Sequence, residues 1–195
     1  MIEFKVSDLN KSMNSVAFLG GADIPSDDQT YKNASMIARN LAQMGLTIYN
    51  GGGPGIMRAA TEGAKSIGGR VIGVTCYPKI PYLNWEGRDP ENHFDEEVKT
   101  SDYFDRTKQL LIRTDIHLIF RGGTGTISEF GMTWASSYLR GGYEKPIILF
   151  GKFWKMIIQK FNKYMYMRPG EFRVYRIVQS VEEAVDEVKH IISQC

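Results

Sequence analysis

The chain has 195 residues, a formal net charge of +2 and ordinary apolar content, enough for one sizeable α/β domain with its own core. It contains no long acidic or basic block, so bulk charge argues for neither a nucleic-acid nor a membrane partner. No apolar run is long enough to span a bilayer, and the polar start from Met1 to Asp8 lacks a signal-peptide core.

In chain order, Ser15 to Gly21 reads as a buried strand ending in glycines, followed by a polar loop over 22–28. Helical periodicity from Thr30 to Met44 places Ile37, Leu41 and Met44 on one face, and Gly45 closes it. Leu46 to Asn50 is a second strand. It runs into Gly51-Gly52-Gly53-Pro54-Gly55 and then a helix, Ile56 to Ile67, stopped by Gly68 and Gly69. A third strand covers Arg70 to Thr75. Strands and helices alternating over short connections predict an α/β fold: a single-domain, doubly wound parallel sheet with helices on both faces. The strands are apolar throughout rather than alternating, which suits burial on both sides.

Cys76 to Lys99 breaks the alternation. It holds Pro78, Pro81 and Pro90, the aromatics Tyr77, Tyr82 and Trp85, and several acids. We expect a long excursion loop over one end of the sheet, and such loops often wall a substrate. Ser101 to Arg113 is a helix bearing Arg106 and Lys108. A strand from Ile116 to Phe120 then enters Arg121-Gly122-Gly123-Thr124-Gly125-Thr126, and a helix follows to about Leu139. A turn at Arg140 to Tyr143, a strand Pro146 to Phe150, a helix to Tyr164, a strand Arg173 to Val178 and an amphipathic helix Val181 to Ser193 complete the chain.

Two glycine-rich turns thus leave strands and open helices. In a parallel sheet such turns lie beyond the carboxyl ends of the strands, where ligands bind. Glycines admit a close ligand, and the helix N-terminus supplies free amides and a favourable dipole, so phosphate is the expected anion. The spacing of the dinucleotide fingerprint is missing and neither turn carries the Walker lysine. A mononucleotide or sugar phosphate therefore fits better than NAD or hydrolysable ATP.

Glu129 falls about one turn into the helix after the second glycine turn. A carboxylate beside a phosphate pocket invites a catalytic reading. Thr126 to Glu129 also has the spacing of a capping box, in which Glu129 would only satisfy backbone amides. Arg106 reads first as part of a solvated charged face, the commoner fate of such charge runs; its functional reading is contact with the substrate, since a guanidinium suits phosphate or carboxylate. The cysteines (Cys76, Cys195) and histidines (His93, His117, His190) are too scattered for a disulfide framework or a metal site, and a reducing, cytosolic setting is expected.

Taken together, Gly122-Gly-Thr-Gly-Thr-Ile-Ser-Glu129, Gly51-Gly-Gly-Pro-Gly-Ile-Met57 and Asp102-Tyr-Phe-Asp-Arg-Thr-Lys108 resemble, in order, the signatures of the lonely guy (LOG) family, long labelled "possible lysine decarboxylase". The resemblance covers roughly Ser15 to Phe150. It implies a Rossmann-like fold and a nucleoside 5′-monophosphate phosphoribohydrolase that frees the base of a cytokinin-type or AMP-like nucleotide, with no cofactor and no metal. It also implies a homodimer with the active site near the subunit interface. By position, Glu129 and Arg106 match the family's catalytic residues and Gly122, Gly123, Thr124, Gly125 and Thr126 its phosphate loop. Gly20, Gly21, Gly51, Gly52, Gly53 and Gly55 would lie along the same sheet edge, with Arg121 adding a cation. Thr133, one turn beyond Glu129, is expected to face the same cleft.

The sequence departs from the pattern at Arg121, where the family usually has Pro, at Ser128, often Glu, and at Thr107, often Lys. Arg121 and Ser128 best support an alternative, a non-catalytic nucleotide or cofactor carrier on the same loops. The old label suggests a third reading, pyridoxal chemistry, which needs a lysine Schiff base; Lys108 is the one lysine placed near the cleft.

Overall fold

A computed structural model describes residues 13–80, 83, 87–139 and 145–194. Tyr82, Trp85, the 140–143 turn, the 1–8 segment and Cys195 lie outside the described residues.

Seven strands form one parallel sheet: β1 (Ser15–Leu19), β2 (Thr47–Asn50), β3 (Val71–Cys76), β4 (Glu96–Thr100), β5 (Ile116–Ile119), β6 (Ile147–Phe150) and β7 (Tyr175–Val178). Their order across the sheet is β4-β3-β2-β1-β5-β6-β7. The chain builds outward from β1 to one edge, then crosses back to lay β5 on the other side of β1. Val16 pairs with Ile116 and Leu19 with Ile119. The carboxyl ends of β1 and β5 therefore diverge into a crevice at the switch point.

Six helices cover the sheet: α1 (Gln29–Gln43), α2 (Ile56–Lys65), α3 (Tyr103–Arg113), α4 (Thr124–Leu139), α5 (Phe153–Tyr164) and α6 (Val181–Ser193). Strand residues alternate between two cores. Val16, Phe18, Ile48, Leu118 and Phe120 pack under α1, α2 and α6. Ala17, Leu19, Val74, Ile119 and Leu149 pack under α3, α4 and α5. Both faces are thus covered, as the continuous apolar strands predict. Helix starts are set by side chains: Asp28 accepts from the Thr30 amide and Asp102 from the Asp105 amide. No helix among the described residues is long and apolar enough to cross a membrane.

The 76–99 segment differs from expectation. Its end, Glu96–Thr100, is the edge strand β4, paired with β3 from Ile72↔Glu96 to Cys76↔Thr100. A run of Glu, Glu, Val, Lys and Thr gives no apolar signal, because an edge strand is charged where it meets water. The chain also forms a short 3-10 helix, Pro169–Arg173, which the sequence reading missed.

Candidate active site

The switch-point crevice is a cleft of about 890 Å³. The carboxyl end of β1 contributes Gly20 and Gly21, and the turn after β5 contributes Arg121 to Thr126. The two turns are tied together, the Gly21 amide donating to the Arg121 carbonyl at 2.9 Å. They touch so closely that a Cβ on Gly122 would lie 2.7 Å from the Gly21 nitrogen. α4 begins at Thr124, and the Ile127 amide donates to the Gly123 carbonyl at 3.0 Å. The amides of Thr124, Gly125 and Thr126 therefore lack intrahelical acceptors and sit at the positive end of the helix, on the cleft wall.

That helix start decides the capping question. Thr126 lies inside the first turn, not before it, so Thr126 and Glu129 do not form a capping box. Glu129 is buried, lines the cleft, and has Oε1 3.8 Å from Nη1 of Arg106. Arg106 is not on a solvated face. It is 5 % exposed, and its guanidinium is held from behind. Nε donates to the Val74 carbonyl and Nη2 to the Gly51 carbonyl, both at 3.2 Å. Nη2 also lies 3.5 Å from the Met57 sulfur. The cleft thus has an anion-suited floor at one end and a buried Arg–Glu pair beside it.

The first glycine turn does something else. Only Gly51 of it lines the cleft. A Cβ there would overlap the Arg106 guanidinium, so the residue must be glycine for the arginine to lie where it does. The amides of Gly52 and Gly53 are spent on Asn50 Oδ1 (2.8 Å) and the Met57 sulfur (3.3 Å). The Gly53 carbonyl accepts from Asn92 Nδ2 at 2.8 Å. Gly55, at φ +63°, backs onto the carbonyls of Gly21 and Ala22. Gly52, Gly53 and Gly55 are therefore buried away from the cleft, which corrects the expectation that they lie along its edge.

Thr133 is corrected too. It is buried, and its hydroxyl bonds Nδ1 of His117 on β5, on the sheet side of α4. His117 Nε2 reaches the Leu111 carbonyl at 3.2 Å. Burial pushes the imidazole down to about 4, so it is neutral at ordinary pH.

Residues that the sequence reading missed also line the cleft: Asp23, Ile24, Met57, Tyr103 and Phe104. The Tyr103 hydroxyl lies 2.8 Å from Ser128 Oγ, which in turn donates to the Gly125 carbonyl at 2.8 Å. This links α3, which carries Arg106, to the first turn of α4, which carries Glu129. Met57 closes the first glycine motif, but its role depends on where Arg106 falls. None of the described residues of the 77–95 loop lines the cleft; instead Asp89, Asn92 and Phe94 pack against the first glycine turn.

Residues 13–178 match the model of the SLOG cluster4 family. The chain belongs to that family. This SLOG cluster4 protein is similar to a cytokinin riboside 5′-monophosphate phosphoribohydrolase of Mycobacterium tuberculosis, 28 % identical over 126 residues. The match spans 64 % of each chain, so about a third of that relative lies outside it. Among solved structures it resembles a molybdenum cofactor binding protein from Rippkaea orientalis, with a TM-score of 0.68 and 22 % identity over 92 % of this chain and 98 % of that one. It also resembles the molybdenum cofactor carrier protein of Chlamydomonas reinhardtii, with a TM-score of 0.66 and 18 % identity over 93 % and 99 %. At those identities the structures speak for the Rossmann-like fold.

Proposed function

We propose that the protein hydrolyses the N-glycosidic bond of a nucleoside 5′-monophosphate, cytokinin-type or AMP-like, to free base and ribose 5-phosphate. The observation that carries this is the buried Arg106–Glu129 pair on the wall of a cleft floored by a glycine turn and a helix N-terminus. The similarity to a phosphoribohydrolase supports the same reading.

The 5′-phosphate sits against the amides of Gly123 to Thr126, with Arg121 as an outer cation. Binding energy from the phosphate positions the sugar. As the bond from C1′ to the base nitrogen breaks, its electron pair leaves with the base and positive charge grows on the ribose. The Glu129 carboxylate stabilises that charge and takes a proton from the attacking water, whose oxygen bonds to C1′. The departing base takes up one proton in return. Arg106 orients Glu129 and faces the substrate.

Base release from AMP, CMP, GMP and UMP, followed by chromatography, tests the reading. Glu129→Gln is expected to keep nucleotide binding and lose on the order of 10²–10⁴ in turnover. An unaffected rate would refute the role of Glu129.

A second reading, a carrier that holds a nucleotide-like cofactor without cleaving it, is favoured by Ser128. Where a second acid would serve chemistry, this hydroxyl is engaged by Tyr103 and Gly125. Tight AMP binding with no base released from any nucleotide would select it.

We also infer a homodimer formed through α3 and α4. It is supported by Phe104, Ile127 and Leu139, which are 79 %, 56 % and 71 % exposed there, and light scattering of the purified protein tests it. We place the protein in the cytoplasm, where a free buried thiol such as Cys76 stays reduced.

A further inference from the structure

The near-neutral charge of the whole chain conceals an uneven distribution. Residues 152–173 carry Lys152, Lys155, Lys160, Lys163, Arg168 and Arg173 against one acid, Glu171, a net +5 where the whole chain is +2. Lys152 at the N-cap of α5, and Lys155, Lys160 and Lys163 within it, project to one side of the helix with Met156 and Gln159 between them, and all are exposed. Like charges this close on a helix repel one another.

Several surface cations elsewhere are matched with acids: Arg58 with Asp89, Lys65 with Asp95, Arg70 with Glu96, Arg176 with Glu187 and Lys189 with Asp186. Among the described residues, no carboxylate pairs with any of these four lysines. The stripe runs about 17 Å along the helix. It ends in Tyr164 and Tyr166, two tyrosines exposed to 67 % and 109 %. The ammonium groups of Lys160 and Lys163 lie 5.8 and 5.1 Å from the Tyr164 ring centre. At its other end the stripe starts beside the cleft, where the Arg121 guanidinium rests 5.8 Å over the ring of Phe153.

An unpaired basic stripe calls for a polyanion. A bilayer fits less well, because the apolar side of α5, with Trp154 and Ile158, is buried in the core and only Met156 and, past the helix end, Met165 are left outside as aliphatic side chains to insert. Spaced cations followed by exposed tyrosines match a phosphate backbone with unstacked bases. We propose that the outer face of α5, continued by Tyr164 and Tyr166, binds single-stranded nucleic acid along a track that leads to the cleft.

The test is fluorescence anisotropy of the full chain with a labelled oligothymidine of about 20 nucleotides. We expect saturable binding at low salt. With four phosphates neutralised, affinity falls roughly 50-fold between about 50 and about 200 mM salt. The combined variant K155E/K160E/K163E is expected to abolish binding while keeping its melting temperature and its base release from AMP. Tyr164→Ala with Tyr166→Ala is expected to weaken binding about tenfold or more. The proposal is overturned if the single strand does not bind at low salt, or if the tyrosine variant binds like wild type. It is equally overturned if a duplex, phosphatidylserine vesicles or a polyglutamate peptide binds as tightly as the strand. Strand binding needs no base release, so this result and the fate of the hydrolase reading are independent.

Discussion

The two glycine turns look alike in sequence and behave in opposite ways. Both leave the end of a strand, both open a helix, and both approach the switch-point crevice. Gly122 to Thr126 is open: its amides belong to a helix start on the cleft wall, and a Cβ on Gly123 would meet nothing within 4 Å. Gly51 to Gly55 is closed: Asn50, Met57 and Asn92 take up its amides and carbonyl, and Arg106 lies across it. One turn holds space for a ligand, while the other gives up that space to seat a side chain. A glycine motif is therefore not by itself a phosphate site; what matters is whether its donors are already engaged.

The largest effect that tests this contrast is expected from Gly51→Ala. The new methyl overlaps the Arg106 guanidinium, which is enclosed by Val74, Gly51 and Met57 and has nowhere to retreat but the cleft. A displacement of about 1 Å at a catalytic group costs on the order of 10² in rate, and overpacking costs about 1–3 kcal/mol in stability. Base release should fall by that factor or more. Protection of the Arg106 Nε–H, followed by NMR in the free protein, should be lost whether or not the protein is a hydrolase. Met57→Leu keeps the volume and removes only the sulfur acceptor, so its cost should stay below about 1.5 kcal/mol. If Gly51→Ala leaves both rate and Nε–H protection intact, the closed turn is not an arginine seat.

The open turn has a buried anchor of its own, and pH exposes it. α4 is bound to β5 by the contact of Thr133 with His117, whose pKa desolvation lowers from 6.5 to about 4. The unfolded chain takes a proton on this residue below about 6.5, whereas the native protein refuses it until about 4. Between those values the unfolded state binds more protons, so stability falls as pH falls. At about 1.4 kcal/mol per unit the loss is on the order of 3 kcal/mol. Denaturant melts across that window should show it. His117→Gln, though less stable throughout, should flatten this part of the profile; a variant with an unchanged slope would assign the effect to other groups.

How much of this was legible beforehand follows the same physics. Strands such as Ile147–Phe150 and helices such as Val181–Ser193 are announced by local apolar pattern, so the doubly wound sheet could be read directly. The edge strand Glu96–Thr100 could not, because one side of it faces water and its residues are charged. Arg106 and Glu129 were identifiable as candidates, but Glu129 had a plain structural reading of equal standing, and for Arg106 the plain reading, a solvated face, was the stronger. Only tertiary placement brings them to 3.8 Å of each other, and only the start of α4 at Thr124 excludes the capping box. Thr133 illustrates the limit of spacing arguments. One turn beyond Glu129 puts it on the same side of the helix, yet a few tens of degrees of rotation turn it onto His117. The stripe on α5 was hidden for a different reason: a chain-wide sum cannot report where charge sits.

The smallest expected effect, Gly123→Ala, tests the open turn from the other side. Gly123 does not have a positive φ, so alanine fits the backbone. Its methyl would project into empty space. The lost chain entropy of the unfolded state favours alanine by about 0.4–1 kcal/mol, and alanine is a poorer residue than glycine just before a helix by a similar amount. These offset, so the melting temperature should barely move. Any functional change then reports the ligand alone. If a phosphate sits against these amides, the methyl stands in its approach: KM for the nucleotide should rise several-fold, up to about tenfold, with kcat held, because the loss falls on binding common to ground and transition states. An unchanged KM would mean that the anion does not use this turn, and the contrast between an open and a closed loop would lose its functional meaning.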